Sequence, residues 1–215
     1  MAAFVAFSLI TLQAANAAVI KPDTAVASSV FSGGYVADNT INGTGLTGTG
    51  INPAEAHADY AFGNHWTTAN GTDPVDAFIT WGFNVGQTLG GIYIWNHRSN
   101  DPGHASNPGY EPTLFDLTVT HFGGSLVLND VSIAPDTATA QGFGFGSVLT
   151  GVTSVRFDVE AVQSSPTFTG LAEVAFETTG ILNTPVPLPA GLPLFGTGLA
   201  LLGFVGWRRK HAAAA

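Results

Sequence analysis

Between residues 24 and 178 no stretch of this chain sustains the three-to-four-residue apolar spacing of a helix, which excludes most architectures at once. The apolar residues alternate instead. LFDLTVTH places Phe115, Leu117 and Val119 on one face and Asp116, Thr118 and Thr120 on the other. VRFDVE sets Val155, Phe157 and Val159 against Arg156, Asp158 and Glu160 in the same way. A period of two marks a strand with one buried and one wet face. AFITWGF, GGIYIW, SLVLNDV and FTGLAEVAF are further strand-like runs, and NPG, DPG, FGG and NGT supply turn signals. Short strands at this spacing predict an all-β jelly-roll β-sandwich over residues 24–178. The 27 glycines and 12 prolines agree with many turns, and the absence of cysteine excludes disulfides, thiolate metal sites and a cysteine nucleophile.

Charge narrows the function. All fifteen carboxylates fall between Asp23 and Glu177, where the only cations of the Lys/Arg type are Arg98 and Arg156, a net charge of −13. A body this acidic repels phosphate backbones, so nucleic acid is not an expected partner.

Both ends read as addresses. Residues 2–12 form an apolar run broken only by Ser8 and Thr11, and AANAA follows with Ala15 and Ala17 at the −3 and −1 positions of a secretory cleavage site, which predicts a signal peptide over 1–17. No basic residue precedes Lys21, so either the true start lies upstream or the signal is an atypical one. At the other end, residues 186–207 carry no charge and RRK begins where the apolar run stops. Residues 188–207 would reach ~30 Å as a helix, one hydrocarbon thickness. Each central Leu, Ile, Phe or Val there favours insertion by roughly 0.3–0.6 kcal/mol. A buried core helix would explain the apolar run but not its abrupt basic stop. The prediction is a linker at 179–187, a single C-terminal transmembrane helix at 188–207 and a basic cytoplasmic tail at 208–215, with the acidic domain outside.

Val186, Pro187, Leu188, Pro189 and Ala190, followed by the apolar run and then Arg208, Arg209 and Lys210, resemble the PEP-CTERM sorting signal of Gram-negative bacteria in its VPLPA form. Leu188 stands where the commoner motif has an acidic residue. The resemblance implies recognition by an exosortase and delivery to the cell surface or extracellular matrix. In the body, AVASSVF, VADNTINGTG, HWTTAN, AFITWGF, LGGIYIWNHR and VTSVRFDV…GLAEVAF succeed one another in the order of landmarks of the discoidin, or F5/8 type C, domain. Asn42 replaces the Asp of that family's Asp-Gly loop, and the loop over residues 43–65 is longer than usual. What the resemblance implies is a galactose-binding-like sandwich that binds carbohydrate through loops at one end. It also implies a structural Ca²⁺ held by Asp38, Asn42 and Glu173, the alternative being that Glu173 simply accepts from loop amides.

The richest loop is WNHRSNDPGHASNPGYEP, with Trp95, Asn96, His97, Arg98, Asn100, Asp101, His104, Tyr110 and Glu111. Sugars need a flat apolar face for their C–H groups and planar polar partners for paired hydroxyls. Trp95 or Tyr110 offers the first, and Asn96, His97, Arg98 and Asp101 the second. The competing reading makes Trp95 core and Arg98 a structural ion pair. Two histidines in a Pro/Gly loop, His97 and His104, do not by themselves make a zinc site. GTGLTG over residues 43–48 reads as a loop, with no helix after it, and no nucleophile elbow is present. The expectation is an exported, membrane-tethered, exosortase-sorted protein that binds glycan of the cell surface or exopolysaccharide matrix without turnover. The alternatives are a structural matrix or biofilm protein with no discrete ligand site, or a hydrolase of extracellular polysaccharide.

Overall fold

The computed structural model describes residues 18–48, 50–98, 109–165 and 167–178. The expected signal peptide, linker, transmembrane helix and basic tail lie outside the described residues, as do Asn100, Asp101 and His104. Among the described residues no helix is long and apolar enough to cross a membrane.

The described chain is all-β. Its strands are β1 (Val19–Ile20), β2 (Thr24–Ala27), β3 (Trp66–Thr67), β4 (Phe78–Asn96), β5 (Pro112–His121), β6 (Gly124–Ser132), β7 (Gln141–Val162) and β8 (Gly170–Glu177). They form one sheet in the order β1-β8-β4-β7-β5-β6, with β2 added to β4 and β3 to β8. Every pairing is antiparallel.

The sheet makes its own second layer by bending. The first part of β4 pairs with β2 and with residues 154–158 of β7, whereas Gly91–Asn96 pairs with β8. Between these parts the register with β7 shifts three times, from Gly82 to Gln87, Leu89 and Gly91. Trp81 and Phe83 from the first part then face Phe176 of β8, with ring centroids 6.1 and 5.3 Å apart. AFITWGF and GGIYIW, which the sequence marks as separate strands, are thus the two ends of one strand. The backbones of β4 and β7 touch at the bend: a Cβ on Gly86 would stand 2.9 Å from Gly151 Cα, and Gly151 itself has φ +68°. Only glycine tolerates both demands.

The alternating residues fill the space between the layers. Phe115, Leu117, Val119, Val155, Phe157 and Val159 are wholly buried, and Phe115 stacks on Phe157 at 4.5 Å. Each such side chain contributes about 1.5–3 kcal/mol by leaving water. β8 is buried at all eight positions, so both its faces are covered. Its outer face is roofed by the long loop, whose Leu46 and Ile51 pack on a second small core of Trp95, Ala172 and Ala175. At one end of this body the last residue of β4, the first of β5, β3 and the start of β8 come together.

Candidate functional site

At that end the connecting loops bring five aromatic rings around one cleft. Phe31, Tyr35, Tyr60, Tyr110 and Phe168 line it together with Thr67, and its volume is about 60 Å³. Successive centroids lie 5.6 Å (Phe31–Tyr35), 6.0 Å (Tyr35–Tyr60), 6.4 Å (Tyr60–Tyr110), 6.4 Å (Tyr110–Phe168) and 5.7 Å (Phe168–Phe31) apart. The circuit closes on itself.

The loops are held by backbone and amide bonds rather than by an apolar core of their own. Phe31 N donates to Thr67 O at 2.8 Å, and Trp66 Nε1 donates to Ser29 O at 2.8 Å, fixing the Phe31 segment on β3. Asn39 Nδ2 donates to Gly34 O (2.8 Å) and His65 O (2.9 Å) and so clips two loops together. Gly34 carries no side chain because the Phe62 ring lies where one would go. Gly109 takes φ +83°, and its carbonyl accepts from Ser164 N and Ser165 N at 2.7 and 2.9 Å, which sets the neighbouring Tyr110 beside Phe168.

Two imidazoles are buried behind the rings. His65 stands 4.6 Å from Tyr60 and 5.0 Å from Tyr35, and His97 stands 4.2 Å from Tyr110 and 4.5 Å from His65, centroid to centroid. Burial holds His65 at about 3 and His97 well below the usual histidine value, so both are neutral at ordinary pH. His65 Nδ1 lies 2.7 Å from Asn64 Oδ1, while His65 Nε2 and both nitrogens of His97 have no hydrogen-bond partner. Burial likewise pushes Tyr60 up to about 12 and raises Tyr110, so both phenols keep their protons. Next to Tyr60, whose N donates to Arg98 O at 3.2 Å, Arg98 Nη1 pairs with Asp59 Oδ1 at 2.7 Å and donates to His57 O at 3.1 Å.

The structure therefore divides the residues that the sequence grouped in one loop. Tyr110 lines the cleft, His97 packs behind it, and the Arg98 carbonyl accepts from Tyr60 N at 3.2 Å. Trp95 is wholly buried under the long loop, where its Nε1 donates to Glu55 O at 2.9 Å. Asn96 is also buried, its Nδ2 tying Pro112 O (2.8 Å) to Ala134 O (3.1 Å) and its Oδ1 accepting from His97 N. Glu111 is buried as well. Sequence reasoning missed Phe31, Tyr35, Tyr60, Thr67, Phe168 and His65. The signal that could have found most of them is aromatic residues in SSVFSGGY, ADYAFGNH and SSPTFTG, loops with no alternation to bury them.

Of the residues expected to hold calcium, Asp38 lies in the same turn as Asn39, and Asn42 follows it, donating its Nδ2 to Asn39 Oδ1 at 3.3 Å. Glu173 is wholly buried; its Oε2 accepts from Gly43 N at 2.8 Å and its Oε1 has no partner. Burial, only partly offset by the Gly43 amide and by Lys21, pushes Glu173 up to about 8. Asn42 Oδ1 accepts from Thr44 N at 2.7 Å, and both Asn42 and Asp38 are exposed. Among the described residues no three His, Cys, Asp or Glu side chains gather as a metal-binding group. The unspent Glu173 oxygen is what a hard cation would take, with the remaining ligands drawn from loop oxygens.

No protein-family model and no curated protein matches the chain. Several solved structures follow a similar backbone course. The family 32 carbohydrate-binding module (CBM) from C. perfringens NanJ, solved in complex with galactose, is 16% identical with TM-score 0.49, covering 71% of this chain and 91% of its own. An F5/8 type C domain from Bacteroides fragilis gives 16% identity and TM-score 0.49, covering 73% and 92%. The lectin-binding domain of lectinolysin complexed with Lewis b, a His mutant, gives the same four values: 16%, 0.49, 73% and 92%. At such identities binding residues do not carry across, and the chemistry has to come from this chain's own side chains.

Proposed function

We propose that this chain is an exported binding protein that takes carbohydrate at the aromatic cleft, without turnover. One observation carries the reading: a closed circuit of five aromatic rings at the loop end of an all-β body. Rings of this kind cover the apolar C–H groups of a sugar or of a substituent on it, while the phenols and Thr67 can meet hydroxyls. The sequence at the two ends supports the address. On this reading the acidic domain stands outside the inner membrane on a transmembrane tether, with an exosortase as processing partner and the cell surface or exopolysaccharide matrix as destination. The galactose-binding-like jelly roll of the discoidin, or F5/8 type C, domain is the fold class that fits this reading. A structural Ca²⁺ at Glu173, with Asn42 and Asp38 as its further side-chain ligands, belongs to the same proposal, supported by the unpartnered buried oxygen.

A glycan array probed with the full chain at millimolar calcium tests the binding. A saturable signal that Tyr110→Ala abolishes is expected. No saturable signal on any glycan would overturn it in favour of a structural matrix component, and turnover of labelled polysaccharide would overturn the statement that the protein does not catalyse.

A further inference from the structure

We propose that the five-ring cleft is a cage for an alkylated ammonium group, so that the glycan taken here carries a cationic amine substituent. This rests on the carbohydrate reading for its partner, but the cage itself rests on geometry.

The walls come first. A circuit with sides of 5.6–6.4 Å, taken as a regular pentagon, has its centre about 5 Å from every ring, inside the ~6 Å reach of a cation–π contact. Neighbouring rings must also turn relative to each other if they are to surround a point rather than form a flat platform. Four of the five steps do so: Phe31–Tyr35 by 75°, Phe31–Phe168 by 67°, Tyr110–Phe168 by 56° and Tyr60–Tyr110 by 88°. Tyr35 and Tyr60, only 11° apart, lie parallel, with their hydroxyl oxygens 3.3 Å from each other. A flat sugar platform needs one or two rings. Five around a space of about 60 Å³ suit a compact, rounded group instead.

The second consideration is what the lining does not provide. Apart from the phenol oxygens, Thr67 is the only polar residue lining it among the described residues, and none of the described lining residues is a carboxylate or a base. A primary ammonium with three N–H donors would leave hydrogen bonds unmade there, at a cost for each. An alkylated ammonium has few or no donors to satisfy and presents diffuse positive charge to the ring faces.

Charge decides between such a cation and a neutral alkyl group of the same shape. The body carries −13, the nearby Arg98 is paired with Asp59, and the two imidazoles behind the rings are uncharged at neutral pH because they are buried. No positive charge among the described residues stands against a cation in the cleft without a compensating partner.

The test uses the full chain and three probes: choline chloride, its neutral isostere 3,3-dimethylbutan-1-ol, and a panel of neutral and amine-bearing oligosaccharides. The readout is the upfield ring-current shift of the methyl protons on titration. Choline should bind at least about tenfold more tightly than the isostere, equivalent to about 1.4 kcal/mol. Tyr60→Phe should keep that preference, and Tyr60→Ala should remove it while the melting curve stays two-state. Equal affinity for choline and the isostere would make the cleft merely apolar and overturn the cage. Binding of neutral oligosaccharides with no response to choline would also overturn the cage while leaving the carbohydrate reading intact. Choline binding with no response to any oligosaccharide would leave the cage standing and overturn the glycan as its bearer.

Discussion

Glu173→Gln should flatten the pH dependence of stability above pH 5. Glu173 sits on β8 with no solvent exposure, one oxygen on Gly43 N and the other unpartnered. Its carboxyl binds a proton at about 8 in the folded protein, against the ordinary value of 4.5 in the unfolded chain. The raised folded value fixes the sign: the contribution to stability is complete below 4.5 and is lost as pH climbs towards 8. Between those limits the unfolded chain releases a proton that the folded chain retains, so each pH step costs up to about 1.4 kcal/mol. From pH 5 to pH 8 the loss is roughly 3 kcal/mol, or about 6–12 °C in Tm for a domain of this size. Glutamine keeps an oxygen for the Gly43 amide and carries no proton to lose, so its Tm should vary far less over the same range. Calcium adds a second reading. A cation that takes the free oxygen favours the carboxylate, so millimolar Ca²⁺ should raise the Tm of the parent chain above pH 7, EDTA should reverse the gain, and neither should act on the variant. Thermal melts by far-UV circular dichroism at pH 5, 6, 7 and 8 decide it. Parallel pH profiles for parent and variant would refute the burial account of Glu173, and a parent Tm indifferent to EDTA would remove the ion.

Two further outcomes follow from the cleft and its supports. In the Glu173→Gln background, acidification should expose the histidines: His65 falls from 6.5 to about 3 on folding, so its contribution is present above 6.5 and lost as pH drops towards 3, and His65→Gln should shift the acid midpoint in urea melts downward. Gly170→Ala should lower Tm by several degrees and weaken ligand binding together, because the new Cβ would stand 2.5 Å from Trp66 O and 3.0 Å from His97 Cδ2, an overpacking cost of about 1–3 kcal/mol, measurable by melting and by titration of the same sample.

What the sequence made legible is what local periodicity encodes. Alternation in LFDLTVTH and VRFDVE named six residues of the core, and all six are wholly buried. The pattern fails where a strand is covered twice. In β4, Ile92 and Ile94 face the main core, while Trp95 enters a second one that exists only because the long loop folds over β8 and β4. No residue near Trp95 announces that cover, so a tryptophan in a polar loop reads as a sugar platform. Bending is hidden for a similar reason: the register shifts after Gly82 lie between two runs that each look like a complete strand. The cleft is harder still. Its five rings come from residues 31, 35, 60, 110 and 168, and nothing in their spacing joins them. They meet because β3 pairs with the start of β8 while Asn96 at the end of β4 donates to Pro112 O at the start of β5, long-range contacts that no window of sequence contains.

That division also says how the cleft and the fold are coupled. None of the five rings belongs to either apolar core, so substituting one should change what is bound before it changes whether the chain folds. The coupling runs through a few residues that serve both. Trp66 is wholly buried in the main core, yet its indole N–H holds the Phe31 loop, and the next residue, Thr67, forms part of the lining. Asn39, buried beside it, joins the Tyr35 and His65 loops with a single amide group. The loops thus hang on a few hydrogen bonds of roughly 1 kcal/mol each rather than on packed area. A ligand filling the rings supplies the contacts the loops lack, and it should raise Tm as RT ln(1 + [L]/Kd) dictates. Loss of Asn39 should abolish that gain while leaving the strands folded.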